Sequence, residues 1–283
     1  FGQFIAPIGD LNNDGIEDLA VGVRDDDDGG TDRGAVYILF MDTDGTVKSF
    51  QKISDTAGGF TATLDDGDYF GQSVARIGDI NNDGIEDIAV GAQGDDDGGT
   101  GRGAVYILFM DTDGTVDDTT GFQKISDTDG DFTATLDNED EFGLDVEGIG
   151  DINNDGIDDI AVGAFEDDGG DKRGASYILF MDVDGTVDDT LGYQKISDTA
   201  GGFTATLGVG ADGFGQSVAR IGDINNDGIG DIAVSAYLDD DGGSNRGALY
   251  ILFMDKYLLS TSSAAISDSF GASTPTPTPT PTP

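Results

Sequence analysis

The segment Asp79-Ile80-Asn81-Asn82-Asp83-Gly84-Ile85-Glu86-Asp87 carries oxygen-bearing side chains at its first, third, fifth and ninth positions, with Gly at the sixth and Ile at the seventh. Hard cations such as Ca²⁺ take six to eight oxygen ligands at roughly 2.3–2.6 Å, and a short loop wraps such an ion by offering every second side chain together with one backbone carbonyl. Gly84 lets the chain turn where a Cβ would clash. The predicted ligands here are Asp79, Asn81, Asp83, the carbonyl of Ile85 and the carboxylate of Asp87, which closes the shell in bidentate fashion. The same spelling recurs three more times. It gives Asp10, Asn12, Asp14, Ile16 and Asp18 in the first copy, and Asp151, Asn153, Asp155, Ile157 and Asp159 in the third. The fourth supplies Asp223, Asn225, Asp227, Ile229 and Asp231. Position eight drifts (Glu17, Glu86, Asp158, Gly230) and so points away from the ion. A single Asn/Asp/Gly turn that binds nothing is the bland alternative. Four copies that hold every ligand position while position eight drifts favour about four bound Ca²⁺. The twelfth position is Val in every copy (Val21, Val90, Val162, Val234), so no EF-hand Glu closes the shell there. The flanks alternate like strands, which makes this a metal loop between two β-strands.

Composition limits the alternatives. The 283 residues hold 57 Asp+Glu against 13 Lys+Arg, a formal charge of −44, with Glu at only six positions. Asp favours turns and caps, and the 46 Gly fit a chain of short strands and tight turns. So negative a chain disfavours nucleic acid and anionic lipid as partners and favours bound cations, a saline habitat, or both. There is no Cys and no His, which excludes disulfides, thiolate metal sites and the Ser-His-Asp scheme. No Trp is present to stack a sugar, and the longest apolar run, about seven residues at Ala104–Met110, is far too short to span a membrane. The opening Phe1, in place of Met, predicts a processed or trimmed N-terminus.

The loops sit in a longer period. Phe1-Gly2, Phe70-Gly71, Phe142-Gly143 and Phe214-Gly215 recur at intervals of 69, 72 and 72. The short first interval has a cause: Val47-Lys48-Ser49-Phe50 stands where repeat two reads Val116-Asp117-Asp118-Thr119-Thr120-Gly121-Phe122. Repeats of 1–69, 70–141, 142–213 and 214–273 are therefore predicted, each burying its faces against its neighbours. Within repeat two, strands are expected at Ser73–Ile80, Asp87–Ala92 and Ala104–Met110, and in one or both of the short alternating segments Phe122–Ser126 and Phe132–Leu136. No stretch sustains a helical period, so the fold class is all-β, with four four-stranded antiparallel blades and a Ca²⁺ loop between the first two strands of each.

At this point the residues resemble a known family. The Phe-Gly opening, the metal loop, Asp-Ile-Ala-Val-Gly-Ala and Arg-Gly-Ala-Val-Tyr resemble FG-GAP repeats, across roughly Phe1–Asp255. The resemblance implies β-propeller blades like those of integrin α-subunits and microbial surface proteins, with the Asp and Asn residues named above as Ca²⁺ ligands. Two departures stand out. The family's Gly-Ala-Pro triplet lacks its Pro in every copy, and four blades replace the family's usual seven.

Other repeated features have plainer readings. The acidic loops Asp25–Gly30, Asp95–Gly99, Asp167–Gly170 and Asp239–Gly243 read as solvated loops ahead of second cation sites. Arg33, Arg102, Arg173 and Arg246 are expected to pair with a neighbouring acidic loop, and Met-Asp-x-Asp-Gly-Thr-Val to form a hairpin turn. Repeat four breaks after Met254-Asp255, so Lys256–Ser273 is expected to lack full last strands or to serve as a closure strand. Five Thr-Pro pairs at Thr274–Pro283 predict an extended stalk open to O-glycosylation.

These features favour a non-catalytic, calcium-binding structural or adhesion protein, extracellular or at a cell surface. Its expected partners are further copies in a homo-oligomer, filament or layer, or a glycan or surface-protein ligand. A glycan-binding lectin is the runner-up, with Tyr37, Tyr106, Tyr177 and Tyr250 as stacking rings, although their place in apolar strands favours the core. A carboxylate-only enzyme built on Glu139, Glu141 and Glu147 ranks last, because these acids read as loop drift.

Overall fold

A computed structural model describes residues 1–167, 172–208, 212–240 and 243–255, together with the backbone of 259–267. Its strands form four antiparallel sheets of four, each in chain order. Blade one holds β1 (Phe4–Pro7), β2 (Leu19–Val23), β3 (Ala35–Met41) and β4 (Val47–Ile53), and blade two holds β5 (Ser73–Gly78), β6 (Asp87–Ala92), β7 (Ala104–Leu108) and β8 (Phe122–Ile125). Blade three is β9 (Asp145–Gly150), β10 (Asp159–Ala164), β11 (Ala175–Leu179) and β12 (Tyr193–Ile196). Blade four is β13 (Phe214–Gly222), β14 (Asp231–Ala236), β15 (Ala248–Met254) and β16 (Leu259–Ser267).

The core lies between blades. Every residue of β6, β7, β10 and β11 is buried, because each of these sheets is sandwiched by neighbours on both faces. That is why the sequence runs apolar without alternation. Between blades one and two, Ile38 and Ile53 meet Val90, Tyr106 and Leu108, and the next two joints repeat this packing.

Each joint also contains a segment that belongs to no sheet. Phe60–Leu64 alternates between buried and exposed, yet it pairs with no strand. It carries Phe60 onto the Phe70 ring, with centroids 4.8 Å apart, and edge-on to Tyr106 at 5.5 Å. Phe132 and Phe203 repeat the arrangement at the following joints. Of the two short segments expected to supply the fourth strand, Phe132–Leu136 is the one that does not. Its period of two arises from a single extended chain wedged between blades with one face buried, and β8 alone supplies the fourth strand.

Backbones close the joints. Phe70 N–H of blade two donates to the Arg33 carbonyl of blade one at 2.9 Å. A Cβ built on Gly91 would lie under 3.0 Å from the Gly143 carbonyl oxygen of the next blade, and Gly22 and Gly163 meet Gly71 and Gly215 in the same way. The corresponding residue of blade four, paired with Leu249 as Gly91 is with Val105, is Ser235.

Two further expectations are settled here. The Asp-Gly segment does form the turn predicted for it, with Asp42 N–H to the Thr46 carbonyl at 2.8 Å. Repeat four is not degraded: β16 pairs with β15 over Ala248↔Ser267 to Met254↔Leu259 and completes its own blade. Residues 256–258 and 268–273 and the Thr-Pro stretch lie outside the described residues. Among the described residues, the two end blades present exposed apolar side chains. Phe1, Ile5 and Phe50 on the leading face of blade one are 80%, 60% and 63% exposed, whereas Val74, the counterpart of Ile5, is 7% exposed. On the trailing face of blade four, Ile224 is 51% exposed and its counterpart Ile80 is fully buried.

Candidate metal centre

The four loops fold alike, and each joins the first two strands of its blade as expected. In blade two, Asp79 accepts N–H bonds from Asp83 (2.9 Å) and Gly84 (2.8 Å), and Asn81 Oδ1 accepts from Asp83 at 3.0 Å. Asp83 Oδ1 accepts from Ile85 N–H at 2.8 Å. The same ladder holds at Asp10, Asp151 and Asp223. Gly84 takes φ of 93°, which only Gly adopts at little cost. Asn82 sits at φ 60°, as do Asn13, Asn154 and Asn226 at 59°, 62° and 62°. Asn tolerates this left-handed conformation better than most residues. The invariant Asn at position four is a feature the sequence reading passed over, and its signal lay in the repetition itself.

Position nine lies apart from the others in environment. Asp18, Asp87, Asp159 and Asp231 are fully buried. Asp87 Oδ2 accepts from Ile80 N–H at 3.0 Å and Oδ1 from Met110 N–H at 3.0 Å, so it ties the loop to the third strand of its blade. Burial pushes the Asp87 and Asp159 carboxyls up to about 7 against the pull of these N–H bonds, and it raises Asp18 in the same sense. A desolvated carboxylate facing only neutral donors is an anion that a bound dication would compensate.

The donor set fits a hard cation: carboxylate, amide and carbonyl oxygens within one nine-residue loop, with no nitrogen or sulfur ligand. Among the described residues no three carboxylates stand together as a finished cage, the loop oxygens being turned onto the loop's own N–H groups. Asp83→Ala removes one such oxygen. The expected result is one fewer ion per chain by calorimetric titration, with the other loops unaffected. An unchanged count would make the loop an empty turn.

Position eight points away from the loop, as predicted. The Glu86 side chain lies beside Gly9 of the preceding blade and that of Asp158 beside Gly78. Glu86 also holds Arg76, with Oε2 2.9 Å from Nε.

The acidic loops and the arginines are matched differently from expectation. Arg33 pairs with Asp55 and Asp66, both at 2.9 Å, and not with the acidic loop. Arg102 and Arg173 likewise hold Asp127 and Asp198. The acidic loops are neutralised by a lysine of the fourth strand: Lys52 holds Asp26 at 2.7 Å and Asp28 at 2.5 Å, while Lys124 holds Asp95 at 2.7 Å and Asp97 at 2.5 Å. Tyr106 adds a hydroxyl donor to Asp95 at 3.1 Å, and Tyr177 one to Asp167 at 2.5 Å. Tyr106, Tyr177 and Tyr250 are at most 1% exposed, so their rings are core and cannot stack a sugar. Glu141 accepts from Gln93 Nε2 at 3.2 Å, and Glu147 from Arg220 N–H at 3.2 Å.

Sheets of four strands in chain order, packed face to face with a candidate metal loop after each first strand, define an array of propeller-type blades. The FG-GAP repeat family matches residues 1–39, 70–108 and 214–252. Three of the four repeats match the FG-GAP repeat, and the third, which that match leaves out, folds as the same kind of blade. Residues of this chain are 31% identical to integrin alpha-4 of Xenopus laevis over 62% of its length, and 34% identical to integrin alpha-6 of Gallus gallus over 59%. Integrin alpha pat-2 of Caenorhabditis elegans is 30% identical over 81% of the chain. The chain spans only 14–17% of the length of these relatives.

Proposed function

We propose that this chain is a non-catalytic, calcium-stabilised adhesion module of an extracellular or cell-surface protein. The observation that carries the reading is the buried position-nine carboxylate. Four times, an oxygen-only loop is tied through it to the third strand of its blade. An ion in the loop would thereby reinforce the sheet as well as the turn. The integrin relatives support the adhesion half of the reading. The test is the count of Ca²⁺ per chain by calorimetry: several ions support the proposal, and none overturns it.

A second reading, self-association, is favoured by the two apolar faces left open at the ends of the array. Ser235 qualifies it, because a second copy docking as blades dock internally would bring a backbone carbonyl onto that side chain. In millimolar Ca²⁺, light scattering is expected to find weak, concentration-dependent association, which Ser235→Gly strengthens. A 29.2 kDa species at every concentration for both proteins would exclude head-to-tail assembly.

A further inference from the structure

One of the four loops differs from the rest in its surroundings. Lys48 Nζ lies 3.1 Å from Asp14 Oδ2, the position-five carboxylate of loop one. Among the described residues, no ion pair engages Asp83, Asp155 or Asp227, which hold that position in the other loops. The pair is a local consequence of the short first interval. With three residues fewer, β4 runs straight on from the turn at Val47 and carries Lys48 across the loop.

In blades two and three the longer spelling closes a turn there instead. Asp117 N–H donates to the Phe109 carbonyl at 2.7 Å and Gly121 N–H to the Asp117 carbonyl at 2.9 Å. In sequence, Asp117 and Asp188 of those turns stand where blade one has Lys48. Blade one thus sets an ammonium 3.1 Å from its position-five carboxylate, where the spelling of blades two and three has an aspartate instead.

We infer that Lys48 is a built-in counter-cation that sets loop one apart as the low-affinity ion site of the array. The inference rests on the calcium reading of the loops. A dication entering loop one must displace the ammonium from Asp14 or bind beside it. Loops two and three have no such ion pair at position five among the described residues, and an entering dication meets no ammonium there. Loop one is expected to bind Ca²⁺ roughly tenfold more weakly than loops two and three, the order expected of one unit charge acting on a dication a few ångström away in a high dielectric.

Calorimetric titration of the whole chain with CaCl₂ tests this, alongside Lys48→Met and Lys48→Arg. The expected wild-type isotherm shows a tight class of ions and one weaker ion. Lys48→Met moves that ion into the tight class, and Lys48→Arg, which keeps the charge, leaves it weak. A single class in the wild type, or a Lys48→Met isotherm identical to it, overturns the inference while leaving the calcium reading intact. Absence of any bound ion overturns the calcium reading itself. Lys48 is largely exposed, so neither substitution endangers the fold.

Discussion

In excess EGTA the chain is expected to melt on the order of 20 °C below its transition in millimolar Ca²⁺. A ligand bound only by the folded state stabilises it by about 2.7 kcal/mol at a hundredfold excess over its Kd. Three loops without a lysine at position five give about 8 kcal/mol on that basis, and each kcal/mol moves the midpoint of a chain this large by roughly 2–4 °C. Two features make the loss hard to absorb. The chain has no disulfide and carries a formal charge of −44, so chelation returns self-repulsion to a fold without covalent staples. The buried carboxylates of Asp18, Asp87, Asp159 and Asp231 then face only neutral donors in the native state. Circular dichroism melts in the two buffers decide the matter, and coincident curves would end the metal reading.

Gly91→Ala should destabilise the chain by about 3 kcal/mol, a large effect for one methyl group. Overfilling a packed site typically costs about 1–3 kcal/mol. Here the obstacle is the Gly143 backbone carbonyl, which cannot rotate aside as a side chain can. Gly91 is not at positive φ, so its cost is close approach alone and separates cleanly from backbone strain. The molecule contains its own control. Ser235 occupies the equivalent strand position in blade four, and Ser235→Ala should leave the midpoint within about a degree. Denaturant melts of the two variants compare the sites directly. A Gly91→Ala protein as stable as the wild type would show that the joints are looser than the backbone geometry implies.

The loops and the blade order were legible because both are local. A ligand spacing of two, a Gly at six and an apolar strand on either side can be read within about twenty residues, and fourfold repetition removes the ambiguity of any single copy. What failed was long-range. Arg33 finds Asp55 and Asp66 across 22 and 33 residues, a pairing that no spacing rule exposes when Asp is everywhere. Phe132–Leu136 alternates like a strand, but alternation reports one buried face and not a hydrogen-bonded partner. Leu259–Ser267 was underrated because Ser and Ala replace the Gln-Lys-Ile spelling of the earlier fourth strands, although the backbone pairs all the same. Lys52, Lys124 and Lys195 carried a signal that went unused, each standing opposite the recurring Tyr of the third strand.

Because the apolar clusters sit at the joints, each blade borrows its interior from the one beside it. Under tension along the chain this becomes a mechanical property. A pull on the two ends puts the same force across every joint, each with a wedge such as Phe203 and a backbone contact such as that at Gly163, so the weakest joint parts first. Such an array yields in steps, one blade length at a time, and dissipates work at each step as a series of breakable links would. On the proposal that the loops hold Ca²⁺, the force of each step would follow the calcium concentration.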